Sequence, residues 1–301
     1  MSAPLKCPNP DCSTNGNNAE KFIASLDESK FYIKKGYYKT KWNHQPVPRY
    51  KCKHCGANFS SHTNRETVNQ HKPHVNEGVF KLVSSGVTLR RTAKILGITK
   101  RTVERKFHFL SELAKKAHEK FLEDPRNKTS HVQFDEMETY QHTKCKPLSV
   151  SIAVKEGSGH IIDAQVAVMM SKGKLAAFAH KKYPYWNVDT RKEATLSVME
   201  SIKKVAFGVV TIASDAKKVY PSLIKKILPD AIPVSYVTRK AEKKEDDPLF
   251  ALNHTAAMLR ADMSRMRRRT WACTKKWENL QKHLYLYIAW NNKYQLAWNF
   301  I

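Results

Sequence analysis

The chain has 301 residues, 41% of them hydrophobic, and 53 Lys and Arg stand against 27 Asp and Glu, a formal charge of +26. That length allows roughly two domains and a substantial core, and the composition excludes a collagen-like, low-complexity or disordered chain. No run approaches the ~18 apolar residues of a membrane span and the opening MSAPLKCPNP has no apolar signal core, so a cytoplasmic protein with no membrane partner is expected, while the charge points to a polyanion, most often nucleic acid.

Disulfides are rare in a reducing compartment, so the six cysteines need another reason. Cys7 and Cys12 (CPNPDC) and Cys52 and Cys55 (CKHC) form two short-spaced pairs, whereas Cys145 and Cys273 are isolated. Pro8, Pro10 and Gly56 favour tight turns at the pairs, and KFYIKKGYYKTKW and PVPRYKCKHC read as a basic, aromatic β-ribbon. A four-cysteine Zn2+ ribbon over residues 1–70 is expected, because so short a segment has too little apolar core to fold without a metal. The first pair encloses four residues rather than the commoner two, which leaves His44, His54 and His62 as substitute ligands.

Residues 71–121 read as helical. HVNEGVFKLVSSGV breaks at Gly86, TLRRTAKILGI turns Leu89, Ala93 and Leu96 inward and stops at Gly97, and TKRTVERKFHFLSELAKKAHEKF starts from an N-cap at Thr99. Two helices joined by a glycine turn, the second carrying Lys100, Arg101, Arg105 and Lys106 early, match a helix-turn-helix. Arg101, Thr102 and Arg105 share the face expected to enter the major groove of double-stranded DNA; the plainer alternative is a helical bundle with a solvated charged face.

After a polar linker, LEDPRNKTS, the pattern changes over residues 131–301. HVQFDEMETY, PLSVSIAVKEGSG and HIIDAQVAVMM read as three strands, the last two a hairpin through Gly157–Gly159. A helix follows with Ala194, Val198, Ile202 and Val205 on one stripe, then the strand GVVTIASD, the helix AKKVYPSLIKKIL and the strand AIPVSYVT. This is the element order of the α/β ribonuclease-H-like fold, in which the first and fourth strands are neighbours. Asp135 and Asp215 would then face one another, and such a pair repels unless a cation lies between them. Hard oxygen ligands suit Mg2+ or Mn2+, so Asp215 reads as a metal ligand better than as a helix cap alone. Alternation turns Glu136 and Glu138 to the opposite face. A third acid is expected on a helix after the last strand: Glu278 first, Asp262 second. Arg265, Arg267, Arg268 and Arg269 precede Glu278 and suit backbone phosphates, or else form a solvated basic face; Trp271 and Trp277 read as core.

SDAKKVYPSLI followed by NHTAAMLRADMSRMRRRTWACTKKWENLQKHLYLYIAWNN resembles the transposases of the insertion-sequence-one family. CPNPDC, RYKCKHCG and the helix pair resemble that family's zinc and end-binding domains, so the likeness covers nearly the whole chain. It implies an Asp–Asp–Glu enzyme with Asp135, Asp215 and Glu278 as catalytic ligands of two cations about 3.5–4 Å apart. Water would free a 3′-hydroxyl at the element's end, and that hydroxyl would attack a target phosphodiester. The resemblance also implies an assembly of at least two protomers on the nucleoid. Relatives with a related zinc ribbon carry Asn or His at the third position, which adds Asn253 and His254 as candidates. Two rival readings are a DNA-binding regulator with an inactive α/β half, and a nuclease that cuts without joining.

Overall fold

The computed structural model describes residues 5–15, 31–40, 46–237, 247–267, 271–294 and 296. The chain divides into two compact units, Met1–Glu77 with Leu296–Ile301, and Gly78–Gln295.

The first unit is built on three antiparallel strands, β1 (Tyr32–Tyr38), β2 (Val47–Cys52) and β3 (Asn58–Ser60), in that order. Its apolar content is small: Tyr32 and Phe59 meet edge to face at 5.1 Å, and the other fully buried members of the cluster are Cys7, Cys12 and Cys52. A cluster of that size cannot by itself offset the entropy of ordering the segment, which makes the thiols central to the unit's stability.

In the second unit, α1 (Asn76–Ser84) and α2 (Leu89–Ile95) lead into α3 (Lys100–Glu123). The α2–α3 connection turns at Gly97, whose φ of 62° is open to glycine without strain. Thr99 caps α3 as its spacing predicts, its hydroxyl accepting from the Thr102 N–H at 3.2 Å. One face of α3 buries Val103, Phe107, Leu110, Leu113, Ala114 and Leu122. Lys106 departs from the expectation of an exposed basic face: the helical turn carries it inward, it is 4% exposed, and burial lowers its pKa to about 8.

The sheet consists of β4 (Thr129–Tyr140), β5 (Pro147–Lys155), β6 (Ile161–Val168), β7 (Ala206–Asp215) and β8 (Ile232–Tyr236), in the order β6-β5-β4-β7-β8. The first three strands pair antiparallel, and β4, β7 and β8 run parallel. The sheet is therefore mixed, with the first and fourth of its strands adjacent. Leu148 to Val154 of β5 are all buried, as expected of a strand covered on both faces. On one face α5 (Arg191–Val205) and α6 (Tyr220–Ile227) pack Val198, Met199, Ile202, Tyr220 and Ile224 against Val132, Phe134 and Ile212. On the other, α7 (Phe250–Asp262) and α8 (Trp277–Asn291) pack Leu252, Leu259, Leu280, Leu284 and Ile288 against Met137, Val150 and Ile152.

Among the elements not read from the sequence, with β3 and α7, is α4 (Ala176–Lys182), between β6 and α5. It buries only Ala179 and so lacks the apolar stripe that periodicity detects. No helix among the described residues is long and apolar enough to cross a membrane.

Candidate functional site

The four cysteines converge. Their sulfurs lie within 4.8 Å of one another, with Cys7 Sγ 3.4 Å from Cys55 Sγ and Cys12 Sγ 3.7 Å from Cys52 Sγ. Zn–S bonds of about 2.3 Å place tetrahedral sulfurs about 3.8 Å apart, so the donor set fits a zinc ion. Burial opposes ionisation of Cys52, but the Thr14 hydroxyl and the Cys55 and His54 amides outweigh it and bring the thiol down to about 6. The paired spacing singled out all four cysteines of this group. His54 lies beside them, Nδ1 3.6 Å from Cys12 Sγ, but outside the ligand group; His62 is also outside it, and His44 falls outside the described residues.

A second constellation sits at the C-terminal end of β7, where its parallel pairing with β4 stops. Phe134 of β4 pairs with Ser214 of β7, so the next residues, Asp135 and Asp215, leave adjacent strands on the same face. Burial raises the Asp135 carboxyl to about 6; the Asp215 and Glu136 charges push the same way, against the Glu136 amide and the Tyr220 hydroxyl. That amide donates to Asp135 Oδ1 at 2.6 Å and the hydroxyl donates to the same oxygen at 3.3 Å. Asp215 Oδ1 is buried with no hydrogen-bond partner. A buried carboxylate oxygen left unsatisfied costs free energy, and a cation between the two aspartates would both satisfy it and cancel their repulsion.

Three residues around this pair were missed by sequence reasoning. Glu136 faces the α5/α6 side, as alternation requires, yet Lys217 Nζ donates to its Oε2 at 2.6 Å and to the Tyr220 hydroxyl at 3.4 Å. Tyr220 then reaches around the strand end to Asp135. Lys217 and Tyr220 thus tie the two faces of β4 together. Their signal was present, since both lie within five residues of Asp215, Lys217 in the turn after β7 and Tyr220 at the start of α6, the helix that must pack beside it. Gln133, two residues before Asp135 on the same face, accepts from the Leu252 amide and donates to the Pro248 carbonyl, each at 3.0 Å, and so fixes the first turn of α7.

The third acid does not join the pair in one close ligand group. Glu278 is exposed in the first turn of α8, where the Trp277 amide donates to Gln141 Oε1 at 2.7 Å and Gln281 bonds the β6 backbone at Val166 and Ala164. Gln141 lies six residues beyond Asp135, about 20 Å along an extended strand. Among the described residues, Asp135, Asp215 and Glu278 do not form a group of ligand atoms within 4.8 Å. Asp262, at the far end of α7, accepts from the Tyr287 hydroxyl at 3.4 Å; Asn253 donates to Asp247, and His254 stacks on Phe250 at 5.8 Å.

The basic residues divide. Lys100, Arg101 and Arg105 are exposed on the first turns of α3, with Thr102 half-buried beside them and Lys100 paired to Glu104 at 2.8 Å. Arg265 is half-buried, its guanidinium 5.2 Å from the Phe107 ring centroid, and Arg267 donates to the Ala261 carbonyl at 3.0 Å. Arg268 and Arg269 lie outside the described residues. The expectation that Trp271 and Trp277 are core is corrected: Trp271 is 92% exposed and Trp277 36%. Neither falls on an apolar stripe, because Trp271 precedes α8 and Trp277 opens it. Beyond this geometry, no protein-family model and no curated protein matches the sequence.

Proposed function

We propose that the chain is a DNA transposase: a ribonuclease-H-like catalytic domain, preceded by a zinc ribbon and a helix-turn-helix formed by α2 and α3, that binds the ends of a mobile element and carries out metal-dependent strand cleavage and transfer. The observation that carries the reading is the Asp135–Asp215 pair, on one face of adjacent parallel strands, with a buried oxygen that lacks a partner. Active sites of open α/β sheets gather at such strand ends. The strand order, with the first and fourth strands adjacent, agrees with the fold, and the charge of +26 agrees with a polyanionic substrate.

In this reading Asp135 and Asp215 would hold Mg2+ or Mn2+, which would supply Lewis acidity at the phosphorus being attacked. Tyr220 and the Glu136 amide orient Asp135, and Lys217 holds Glu136 clear of the pair. The first reaction adds water oxygen to phosphorus and releases the 3′-oxygen as a hydroxyl. In the second, that hydroxyl displaces the 3′-oxygen of a target phosphodiester, so one P–O bond forms as another breaks. Glu278 enters as third ligand on the resemblance alone. Its exposed place apart from the pair favours a second reading, a DNA-binding regulator without cleavage.

Oligonucleotides carrying an element's end, incubated with the protein and Mg2+, separate the readings. Joined products support a transposase, nicks alone a nuclease, and retarded but intact DNA the regulator. Asp215→Asn is expected to bind the duplex as wild type does and to lose all strand chemistry; cleavage retained by that variant refutes the site.

A further inference from the structure

A cavity of about 650 Å³ lies between the start of α3, the segment after α7 and the start of α8. Five cations line it (Arg90, Lys100, Arg265, Lys275 and Lys276) against one carboxylate, Glu104. Trp271 stands at its edge almost wholly in solvent, with Lys275 Nζ 5.6 Å from its ring centroid. A solitary indole held in water forgoes the burial that usually places tryptophan, so its position calls for a partner.

The deep wall supplies a second requirement. His283 is fully buried, and burial first, with the Arg265 charge second, lowers its pKa to about 3. Its Nε2 is 3.1 Å from the Val83 carbonyl and so carries the proton of the neutral ring. That leaves Nδ1 as an acceptor, buried and without a hydrogen-bond partner. The cavity itself offers a flat π surface at its edge and a positive wall. Its volume falls in the ~300–1,000 Å³ range of pockets for single small ligands.

We propose that this cavity takes one unpaired nucleotide of a DNA strand, its base stacked on Trp271 and the flanking phosphates held by Lys100, Lys275 and Lys276. The inference rests on DNA being the substrate, as read above. A paired base hides both ring faces in the stack, so an aromatic platform is reached only by a base that has left the duplex. The lysines suit the phosphate oxygens of the strand.

The test is equilibrium binding of the full chain, in magnesium-free buffer, to a paired duplex and to the same duplex carrying a single-nucleotide bulge. Wild type is expected to favour the bulged DNA. Trp271→Ala is expected to weaken that complex by roughly fivefold or more, the effect of losing one base–aromatic stack, while changing paired-duplex binding less than about twofold. Trp271→Phe should restore most of the difference, and Lys275→Ala with Lys276→Ala should weaken the bulged complex more than the paired one. Equal wild-type affinities, or a Trp271→Ala loss shared by both duplexes, overturn the proposal. Because no magnesium is present, expected binding followed by failure to cut on its addition refutes the catalytic reading alone. Failure to bind either DNA refutes both.

Discussion

Replacing Asp135 by Asn removes a charge while keeping the shape and an oxygen to accept from Tyr220 and from the Glu136 amide. The wild-type carboxyl is held near pH 6 against its ordinary 3.8, chiefly by burial. Each pH unit of such a difference is about 1.4 kcal/mol, so ionised Asp135 costs the folded state on the order of 3 kcal/mol. The sign follows from proton counts: between about pH 4 and 6 the folded protein binds more protons than the unfolded one, so its stability falls as pH rises. Asparagine does not titrate. In magnesium-free buffer Asp135→Asn should therefore match wild type near pH 4 and be more stable at pH 8, with a melting temperature roughly 6–12 °C higher for a unit of this size. Magnesium at pH 8 should raise the wild-type melting temperature and leave the variant nearly unchanged, because a ligand stabilises only the state that binds it. Circular dichroism melts at the two pH values, with and without magnesium, provide the measurement. A variant no more stable at pH 8, or as much stabilised at pH 4, refutes the account of a half-buried, mutually repelling pair awaiting a cation.

Two further perturbations are as direct. Cys52→Ser should abolish the single equivalent of bound zinc and open the β1–β3 segment to proteolysis, since its core is little more than Tyr32, Phe59 and the thiols; a protease-resistant segment would show that the cysteines do not hold it. Asp163 is fully buried and accepts from the Ser201 hydroxyl at 2.6 Å, the Ala164 amide at 2.7 Å and the Gln165 side chain at 3.0 Å, with His118 Nε2 at 3.6 Å. Burial opposes its ionisation, but these partners outweigh it and hold the carboxyl below its ordinary range, so its contribution is present above about pH 4 and is lost as pH falls further. Asp163→Ala should cost about 3–5 kcal/mol in urea unfolding at neutral pH; a loss under about 1 kcal/mol would mean that the donors find water instead.

Much of this molecule is legible in its residues, where the signal is periodic or spaced. Alternation and β-branched runs gave the five strands of the sheet, a 3.6-residue stripe gave α5, and two cysteine pairs gave the ligand group. The Asp135–Asp215 juxtaposition followed from strand order alone, since parallel neighbours of matched register bring like positions to one edge. What periodicity does not carry was lost. Lys106 looks like one more cation of a basic face, yet the geometry of a helical turn sends it inward. Trp271 looks like core by its chemistry and is in water because no element buries that loop. The start of α8 is tied by one amide to Gln141, a contact between residues far apart in sequence that no periodicity announces.

Helix α3 runs 24 residues without a break, about 36 Å of stiff rod. Arg101 and Arg105 project at one end, while Leu122 is set among the apolar side chains beneath the sheet at the other. Such a rod has no joint, so the bearing of its basic end is locked to that of the strands carrying Asp135 and Asp215. Inserting a single residue at its midpoint would swing one end by about 100° around the axis relative to the other. Its length is thus a calibrated spacer as much as a span of packing surface.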